Sequence, residues 1–236
     1  MTATGRQPEF DRYAKSYHEL HTQSVRISGE EPDYFARYKI DEVARVSAVA
    51  RRLGGDLAIL DFGCGIGGSI PHFRRLFPRA RLSGADVSEE SLAMAREQCP
   101  PDVQFEAIDG ECLPFESQTF DIVFTSCVFH HIAPEERLAC MREIQRVLKP
   151  GGEFFFFEHN PWNPLTVRVV RDCPFDENAI LLDSPEAMGL VNSAGFSSAR
   201  LSYTVFFPKV LSILRPLEKF FRLVPIGAQY YIRANA

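Results

Sequence analysis

Short apolar runs alternate with amphipathic segments from residue 57 to the end of the chain. The apolar runs have the length of buried strands and lie at 57–62, 80–87, 103–109, 120–128, 153–158, 197–207 and 228–234. Segments with helical spacing of apolar residues separate most of them, at 68–77, 88–98, 133–152, 184–196 and 209–224. Alternation of strand and helix produces parallel pairing through right-handed crossovers. We therefore predict an α/β fold with a Rossmann-like, seven-stranded, mostly parallel sheet and helices on both faces.

Capping signals predict the ends of several helices. Ser88 precedes two acidic residues and is a predicted N-cap. Pro134 suits the first position of the next helix, which the sequence Lys-Pro-Gly-Gly at 149–152 is expected to end. Ser184, followed by Pro185, is the predicted N-cap of a later helix.

Two regions lie outside the regular alternation. Residues 8–53 have helical spacing and form a predicted N-terminal helical cap, in which one long helix covers most of 31–53. Residues 159–183 are rich in proline and asparagine and have no clear periodicity. An irregular segment of that length inside a compact domain is often functional.

Composition narrows the possible functions. The chain has 236 residues, 45% of them hydrophobic, and a formal net charge of −5, which argues against a nucleic-acid-binding face. No apolar run approaches the roughly 20 residues of a membrane-spanning helix, so we expect no stable membrane insertion. The six cysteines form no C-x-x-C pair, a pattern typical of reduced thiols in a cytoplasmic protein without a zinc site.

The sequence LDFGCGIGG at 60–68 is a glycine-rich turn after the first predicted strand. In open α/β sheets, ligands bind beyond the carboxyl ends of the strands where the strand order reverses. Gly63, Gly65 and Gly68 satisfy the dinucleotide pattern G-x-G-x-x-G, but a phosphorylated small molecule or S-adenosylmethionine also suits such a turn.

Acidic residues at three successive strand ends discriminate among these ligands. Asp61 would repel a pyrophosphate and attract the ammonium and sulfonium groups of S-adenosylmethionine. Asp86 can accept ribose hydroxyls from either type of ligand, and Asp109 can accept an adenine amine. Three carboxylates along one crevice favour S-adenosylmethionine over a dinucleotide.

These segments, from LDFGCGIGG through GADVSEESLAMA, FEAIDGECLPF and FDIVFTSCVFHHI to REIQRVLKPGGEFFFFEHN, resemble the class I S-adenosylmethionine-dependent methyltransferases of small molecules. The resemblance covers about 57–158 and implies a last, seventh strand that is antiparallel. The absence of internal repeats predicts one domain over 1–236, in which the resemblance makes 57–158 the cofactor-binding core and 159–236 the acceptor side.

The resemblance further implies a set of cofactor-binding residues. The methionine and sulfonium end would lie against Asp61 and the turn, with Ser126 beneath the methionine. Asp86 would hold the ribose, and Tyr17 in the N-terminal cap is a candidate to close over the cofactor. The full predicted set is Tyr17, Asp61, Gly63, Cys64, Gly65, Gly67, Asp86, Val87, Asp109, Gly110, Glu111 and Ser126, in which Val87 packs on the adenine and 109–111 face its edge.

Methyl transfer is an in-line displacement that needs alignment of the reactants and exclusion of water, with a base for a hydroxyl acceptor. His130, His131 and His159 follow strand ends and are the candidate bases. We therefore expect O-methylation of a small molecule, with N- or C-methylation as the alternative. The apolar segment at 209–227 also leaves a quinone or lipid precursor open as acceptor.

We expect no catalytic metal, because the chain has no catechol-type carboxylate cluster beyond the predicted cofactor set. Two other classes of protein stay open from the sequence. One is an NAD-dependent oxidoreductase, which the glycine pattern allows, and the other is a non-catalytic cofactor-binding protein on the same fold.

Overall fold

The computed structural model describes residues 17–54, 56–108 and 112–236. Its strands are β1 (Ala58–Phe62), β2 (Arg81–Asp86), β3 (Gln104–Ala107), β4 (Phe120–Ser126), β5 (Leu148–His159), β6 (Ser197–Thr204) and β7 (Gln229–Asn235). Its α-helices are α1 (Tyr17–Val25), α2 (Pro32–Val46), α3 (Ala48–Leu53), α4 (Ile70–Leu76), α5 (Glu89–Gln98), α6 (Arg137–Val147), α7 (Pro164–Arg171) and α8 (Ser184–Ser193). Short 3₁₀ helices lie at Arg26–Ser28, Phe129–His131 and Pro174–Asp176, and a longer 3₁₀ segment at Lys209–Phe220.

The seven strands form one sheet in the order β3-β2-β1-β4-β5-β7-β6. Strands β1 to β5 pair in parallel, whereas β7 is antiparallel to both of its neighbours, β5 and β6. The predicted fold class and the antiparallel seventh strand are therefore confirmed. Because the strand order reverses between β1 and β4, a crevice is expected beyond the carboxyl ends of these two strands.

Both faces of the sheet are buried, as the continuous apolar runs indicate. Alternate phenylalanines of β5 enter two separate clusters, with Phe154 and Phe156 on one face and Phe155 and Phe157 on the other. All four side chains are fully buried. One strand therefore contributes to the core on both faces of the sheet.

Strand β5 begins at Leu148, five residues before the predicted run at 153–158. Helix α6 begins at Arg137 rather than at Pro134, and residues 149–152 belong to β5 rather than to the helix end. Leu148 already pairs with Phe120 of β4, and a register shift follows in that ladder. A side chain at Gly152 would lie 2.9 Å from the carbonyl oxygen of Lys149, so the glycine allows a close backbone approach within the strand.

Helix caps agree with the sequence at one predicted site and differ at another. The Ser88 hydroxyl accepts a hydrogen bond from the Ser91 amide, which confirms it as the N-cap of α5. The N-cap of α8 is Asp183 rather than Ser184, because Asp183 accepts the amide hydrogen of Glu186. The Ser184 hydroxyl instead pairs with the hydroxyl of Tyr203 at 2.6 Å.

The segment at 31–53, predicted as a single helix, is two helices that meet at Ser47. The Ser47 hydroxyl caps α3 by accepting from the amide of Ala50, and it also pairs with the carboxylate of Glu153 in β5. The same carboxylate accepts the amide hydrogens of Ala48 and Val49. A buried acid at the N-terminus of α3 therefore breaks the long helix that the sequence pattern predicts.

Two further segments depart from their predictions. The segment predicted as irregular, 159–183, contains helix α7, which begins after the N-cap Asn163. The segment predicted as an interrupted α-helix, 209–224, is 3₁₀-helical over Lys209–Phe220 with a kink at Leu211, retains Pro216 inside it and buries no residue. Among the described residues, no helix is both long and apolar enough to cross a membrane.

Candidate functional site

The glycine turn follows β1 and rests on the end of β2. The amides of Gly63 and Cys64 both donate to the carbonyl oxygen of Ala85, at 2.8 and 3.1 Å. Gly63 has φ +72°, and a side chain there would collide with Val128. Gly65 also has a positive φ, of +52°, but a Cβ at that position would meet no heavy atom within 4 Å. The turn is therefore closely packed at Gly63 and open at Gly65, where a ligand can approach the backbone.

The two other predicted turn residues have packing roles. The thiol of Cys64 is buried below the turn, and burial raises its pKa well above the usual range. A side chain at Gly84 would lie 2.8 Å from that sulfur, so Cys64 fills the space that glycine leaves in β2. Gly67 lies against Cys99 in the same way. Cys64 and Gly67 are therefore packed against neighbouring residues of the fold, and only the backbone of the turn is available to a ligand.

Asp61 and Asp86 lie on the adjacent strands β1 and β2 and are both buried. The Oδ2 atom of Asp61 has no hydrogen-bond partner among the described residues. Burial and the neighbouring charge of Asp86 raise the pKa of Asp61 to about 7. The Asp86 carboxylate accepts the amide hydrogens of Gly65 at 2.8 Å and Ser88 at 3.0 Å. An unsatisfied buried carboxylate beside a second one fits a cationic ligand, because a cation restores the interactions that burial removes.

Lys39 is a buried cation in this crevice that the sequence analysis missed. It extends from α2, and its Nζ donates to the hydroxyl of Ser126 at 2.6 Å, at the end of β4. Its charge also acts on Asp61 and favours the ionised form of that carboxyl. A sequence signal was present, because Lys39 stands four residues from both Phe35 and Val43, on the face of α2 that the apolar residues define.

Of the remaining predicted cofactor residues, the structure describes the side chain of Val87 but not those of Tyr17 and 109–111. Val87 is at the surface just after β2, with 45% of its area exposed, so its side chain is accessible to a planar ligand. Tyr17 begins α1, but its side chain lies outside the described part of the structure. The predictions for Asp109, Gly110 and Glu111 also fall outside the described residues.

Cys127, directly after β4, has an unusual conformation and environment. Its backbone has φ +57°, a value that residues other than glycine seldom adopt. The Nζ of Lys39 lies 3.6 Å from its sulfur and the Nε2 of Gln229 3.8 Å. Although burial opposes the thiolate, His159 and Lys39 lower the pKa of Cys127 to about 7. The sequence pattern marked this strand end only by Ser126, so the thiol was not anticipated.

The three candidate histidines come together beyond β4 and β5. The ring centroid of His130 lies 4.1 Å from that of His131 and 5.2 Å from that of His159. Carboxylates surround the first two of them: Glu158 approaches His130, and Asp176 approaches both His130 and His131. The structure therefore assembles all three histidines at one edge of the crevice, together with two acids that the sequence analysis did not single out.

His130 differs from the other two histidines because it is enclosed. Its Nδ1 lies 2.7 Å from Oε2 of Glu158, whose Oε1 accepts the amide hydrogens of Val128 and Phe129. Burial opposes its charge, yet the carboxylates of Glu158 and Asp176 raise the pKa of His130 to about 10. His130 is therefore protonated at neutral pH and is unsuited to accept a proton from a substrate.

His131 and His159 are more accessible than His130. Burial lowers the pKa of His131, whose Nε2 lies 3.2 Å from Oδ1 of Asp176. His159 ends β5, and the next residue, Asn160, donates from its side chain to the carbonyl oxygens of Pro225 and Gly227. These bonds hold the backbone after His159 against the segment that leads into β7.

The sequence profile of a family described as a methyltransferase domain matches residues 59–152. An uncharacterized methyltransferase of Synechocystis is 30% identical over 60% of this chain and 68% of its own length. A malonyl-[acyl-carrier protein] O-methyltransferase of Erwinia pyrifoliae is 29% identical over 89% of this chain and 72% of its own length. The chain spans 40% to 72% of the length of the curated relatives it matches.

A solved structure from Thermotoga maritima has the same fold. It is described as an S-adenosylmethionine-dependent methyltransferase and possible histamine N-methyltransferase. It superposes with a TM-score of 0.66 at 20% identity and covers 96% of this chain and 97% of its own. At that identity the likeness concerns the fold alone.

Proposed function

Given that the chain belongs to the S-adenosylmethionine-dependent methyltransferases, we propose that it transfers a methyl group from this cofactor to a hydroxyl of a small-molecule acceptor. The observation that carries the cofactor assignment to particular residues is the buried Oδ2 of Asp61, which has no partner among the described residues. The histidines at the acceptor side support the choice of a hydroxyl.

The residues of the crevice fit the cofactor's groups. When bound, S-adenosylmethionine supplies a methyl group on a positively charged sulfur that leaves as a neutral thioether. Asp61 offers a carboxylate to the ammonium of the methionine moiety, and Lys39 offers the countercharge for its carboxylate. Asp86 has the hydrogen-bonding chemistry for the ribose hydroxyls, and the exposed Val87 offers an apolar surface to the adenine. Open space at Gly65 lets the ligand approach the turn.

His159 is the proposed base for the acceptor hydroxyl. It stands at the end of β5 next to Cys127, while His130 is already protonated and His131 is directed at Asp176. The His159 imidazole would accept the proton of the acceptor hydroxyl, so the acceptor need not ionise beforehand. The bonds from Asn160 to Pro225 and Gly227 limit the movement of this histidine's backbone.

An apolar acceptor, such as a quinone or lipid precursor, is the second candidate. The observation that favours it is a set of exposed apolar side chains on the 3₁₀ helix and the turn after it, which we call the apolar ridge: Val210, Ile213, Leu217, Phe220 and Leu223. Val210, Ile213 and Leu223 are each more than 80% exposed. Such a surface suits an acceptor that arrives from an apolar environment. N- or C-methylation of a small metabolite is the alternative chemistry at the same crevice.

The test combines binding with turnover. The protein is incubated with methyl-labelled S-adenosylmethionine and panels of hydroxyl, amine and quinone-type acceptors, and S-adenosylhomocysteine is measured. With the best hydroxyl acceptor, His159→Gln should lower kcat by about 100-fold or more, with the dissociation constant for S-adenosylmethionine unchanged. Asp61→Asn should weaken cofactor binding itself.

Two outcomes would contradict the proposal. Binding of NAD(H) without binding of S-adenosylmethionine would place the chain's activity in another class. Turnover of amines alone, with full activity in His159→Gln, would refute O-methylation and leave the methyltransferase assignment in place.

A further inference from the structure

Three metal-ligating side chains meet beyond the carboxyl ends of β4 and β5. His130 and His131 belong to the 3₁₀ helix after β4, and Asp176 ends the 3₁₀ helix at Pro174–Asp176. Each offers one ligand atom, and the three atoms all lie within 4.8 Å of one another. We propose that these residues form a binding site for a divalent transition metal ion, with Zn²⁺ as the best fit.

Two of the three separations are those expected around one ion. Oδ1 of Asp176 lies 3.2 Å from Nε2 of His131 and 3.5 Å from Nε2 of His130. Two ligands at about 2.0–2.1 Å from a tetrahedral zinc ion are roughly 3.3 Å apart. The longer of the two observed separations exceeds an ordinary N–H···O hydrogen bond. The same carboxylate oxygen is therefore placed to complete a His–His–Asp set.

Glu158 supplies the outer support that such a site needs. Its Oε2 lies 2.7 Å from Nδ1 of His130, which leaves Nε2 on the side of Asp176. His130 carries a proton on Nε2 in the absence of an ion, and a bound metal ion would displace that proton to solvent. A carboxylate that holds the far nitrogen of a ligating histidine orients the ring and strengthens its donor atom. Two imidazoles with one carboxylate match the donor preferences of zinc and its neighbours in the first transition series.

The cluster is held rigid by Arg137, whose side chain is almost entirely buried. Its guanidinium donates to the carbonyl oxygens of Phe129 and Ile132 on one side and of Ile180 on the other. The amide of Ile180 in turn donates to the carbonyl oxygen of His130 at 2.8 Å. These bonds join the segment that carries Asp176 to the turn that carries the histidines, so the donor set is formed in advance of any ion.

The site lies on the acceptor side of the crevice. His130 and Asp176 are buried, whereas the His131 side chain keeps 17% of its area exposed, and the ring of His159 is 5.2 Å from that of His130. Three protein ligands leave a coordination position for an oxygen donor from water or an acceptor. The sequence had indicated no metal because it has no C-x-x-C pair and no carboxylate cluster beyond the predicted cofactor set. Asp176 is remote in sequence from the two histidines, and only the fold brings it to them.

The experiment measures metal binding directly and does not depend on methyl transfer. Protein stripped with a chelator is titrated with Zn²⁺ in competition with a chromophoric chelator, and with Co²⁺ while the visible spectrum is recorded. We expect about one ion per chain and a Co²⁺ spectrum of a four- or five-coordinate site. Asp176→Asn and His131→Gln should each weaken binding by at least about tenfold.

His72→Gln is the matched control, because His72 pairs with Asp33 at 2.9 Å in a histidine–carboxylate contact outside this cluster. It should bind the metal like the unmodified protein. The proposal is overturned if the stripped protein takes up no ion, or if both cluster variants bind as tightly as the control. Should a variant unfold, X-ray absorption of the unmodified zinc-loaded protein decides: it must show two imidazoles, and their absence overturns the proposal.

Discussion

At the scale of single residues, Asp61 is the most informative side chain, because its burial is unfavourable for folding while the proposed function uses it to bind the cofactor. Its carboxylate is buried on β1, and one oxygen has no partner within the described structure. Burial of an unpaired polar group is unfavourable for folding. In a functional site, that unfavourable free energy is recovered when a cationic ligand binds.

Asp61→Asn should therefore stabilise the ligand-free protein and weaken cofactor binding. The pKa of Asp61 is raised to about 7, so between about pH 4 and 7 the folded state binds more protons than the unfolded state. Stability then falls as pH rises through this range, and the deficit is complete above about pH 7. The substitution should add of the order of 2–4 kcal/mol at pH 8 and little at pH 4. Urea unfolding at both pH values measures the gain, and calorimetry with S-adenosylmethionine measures the lost affinity.

Asp56→Asn is the control for that prediction, since Asp56 is an exposed acid in a surface ion pair with Arg79. It should leave both stability and affinity almost unchanged. Equal stability of Asp61→Asn and the unmodified protein at pH 8 would contradict the account of an unsatisfied carboxylate.

Cys127 is expected to react as a thiolate near neutral pH. His159 and Lys39 lower its pKa to about 7 against the effect of burial, so alkylation by iodoacetamide should be half-maximal near that pH. Removing the histidine in His159→Gln should move the midpoint upward. Peptide-resolved mass spectrometry follows Cys127 and the exposed Cys112 in the same sample. An unchanged midpoint in the variant would show that the histidine does not act on the thiol.

At the scale of elements, the break between α2 and α3 depends on a buried acid in the sheet. Glu153 of β5 is fully buried, binds Ser47 and two amides of α3, and pairs with the Arg233 guanidinium of β7. One carboxylate thus ties the N-terminal helices to the strand that is antiparallel in the sheet. The sequence pattern of apolar residues could not locate this break, because the partner lies more than 100 residues away.

Arg233→Met should destabilise the protein by about 3–5 kcal/mol, because it leaves the buried Glu153 carboxylate without its cation. The melting temperature and the urea midpoint measure the loss. Arg79→Met is the control, since Arg79 belongs to an exposed pair with Asp56 and should cost at most about 1 kcal/mol. Similar losses of stability in both variants would show that the buried Glu153–Arg233 pair contributes no more than an exposed ion pair.

Sequence-based prediction of the elements succeeded where a short-range pattern decides the structure. All seven strands lie within or close to their predicted runs, because parallel strands buried on both faces need continuous apolar sequence. It was wrong where a distant contact decides. Asp183 rather than Ser184 caps α8, since the Ser184 hydroxyl is held by Tyr203 of β6. The start of β5 was assigned to a helix end for the same reason, because only its pairing with β4 shows that 149–152 is strand.

At the scale of the whole molecule, the sheet order places the carboxyl ends of β1, β4 and β5 side by side. Asp61, on the proposed cofactor side, and Cys127 and His159, on the proposed acceptor side, come from these three strands or directly follow them. The apolar ridge lies outside the buried core, and its side chains are exposed to solvent in the described structure. A helix packed on the sheet would bury its apolar face, whereas this 3₁₀ helix buries none of its residues.

Polar substitution on the apolar ridge should leave folding stability unchanged. The double variant Ile213→Ser with Phe220→Ser removes two side chains that are 86% and 71% exposed, so the free energy of unfolding should change by no more than about 0.5 kcal/mol. Phe156→Ala, at a fully buried position of β5, is the reference and should cost about 3–5 kcal/mol. A large loss in the double variant would mean that the ridge packs against part of the chain. If the ridge receives an apolar acceptor, KM for that acceptor should rise in the same variant.

By itself, the sequence determined the class of fold, the position of the glycine turn and the acidic residues Asp61 and Asp86 at the ends of β1 and β2. These features follow from local pattern, because burial on both faces of a parallel sheet and a tight turn each restrict the residues at known spacing. The tertiary structure alone decided three contacts. Lys39 donates to Ser126, His159 lowers the pKa of Cys127, and Asp176 lies beside His130 and His131. Each of those contacts joins side chains that are distant along the chain. The pKa values and charges of these side chains depend on burial and on neighbouring charges, which only the packing of the fold creates.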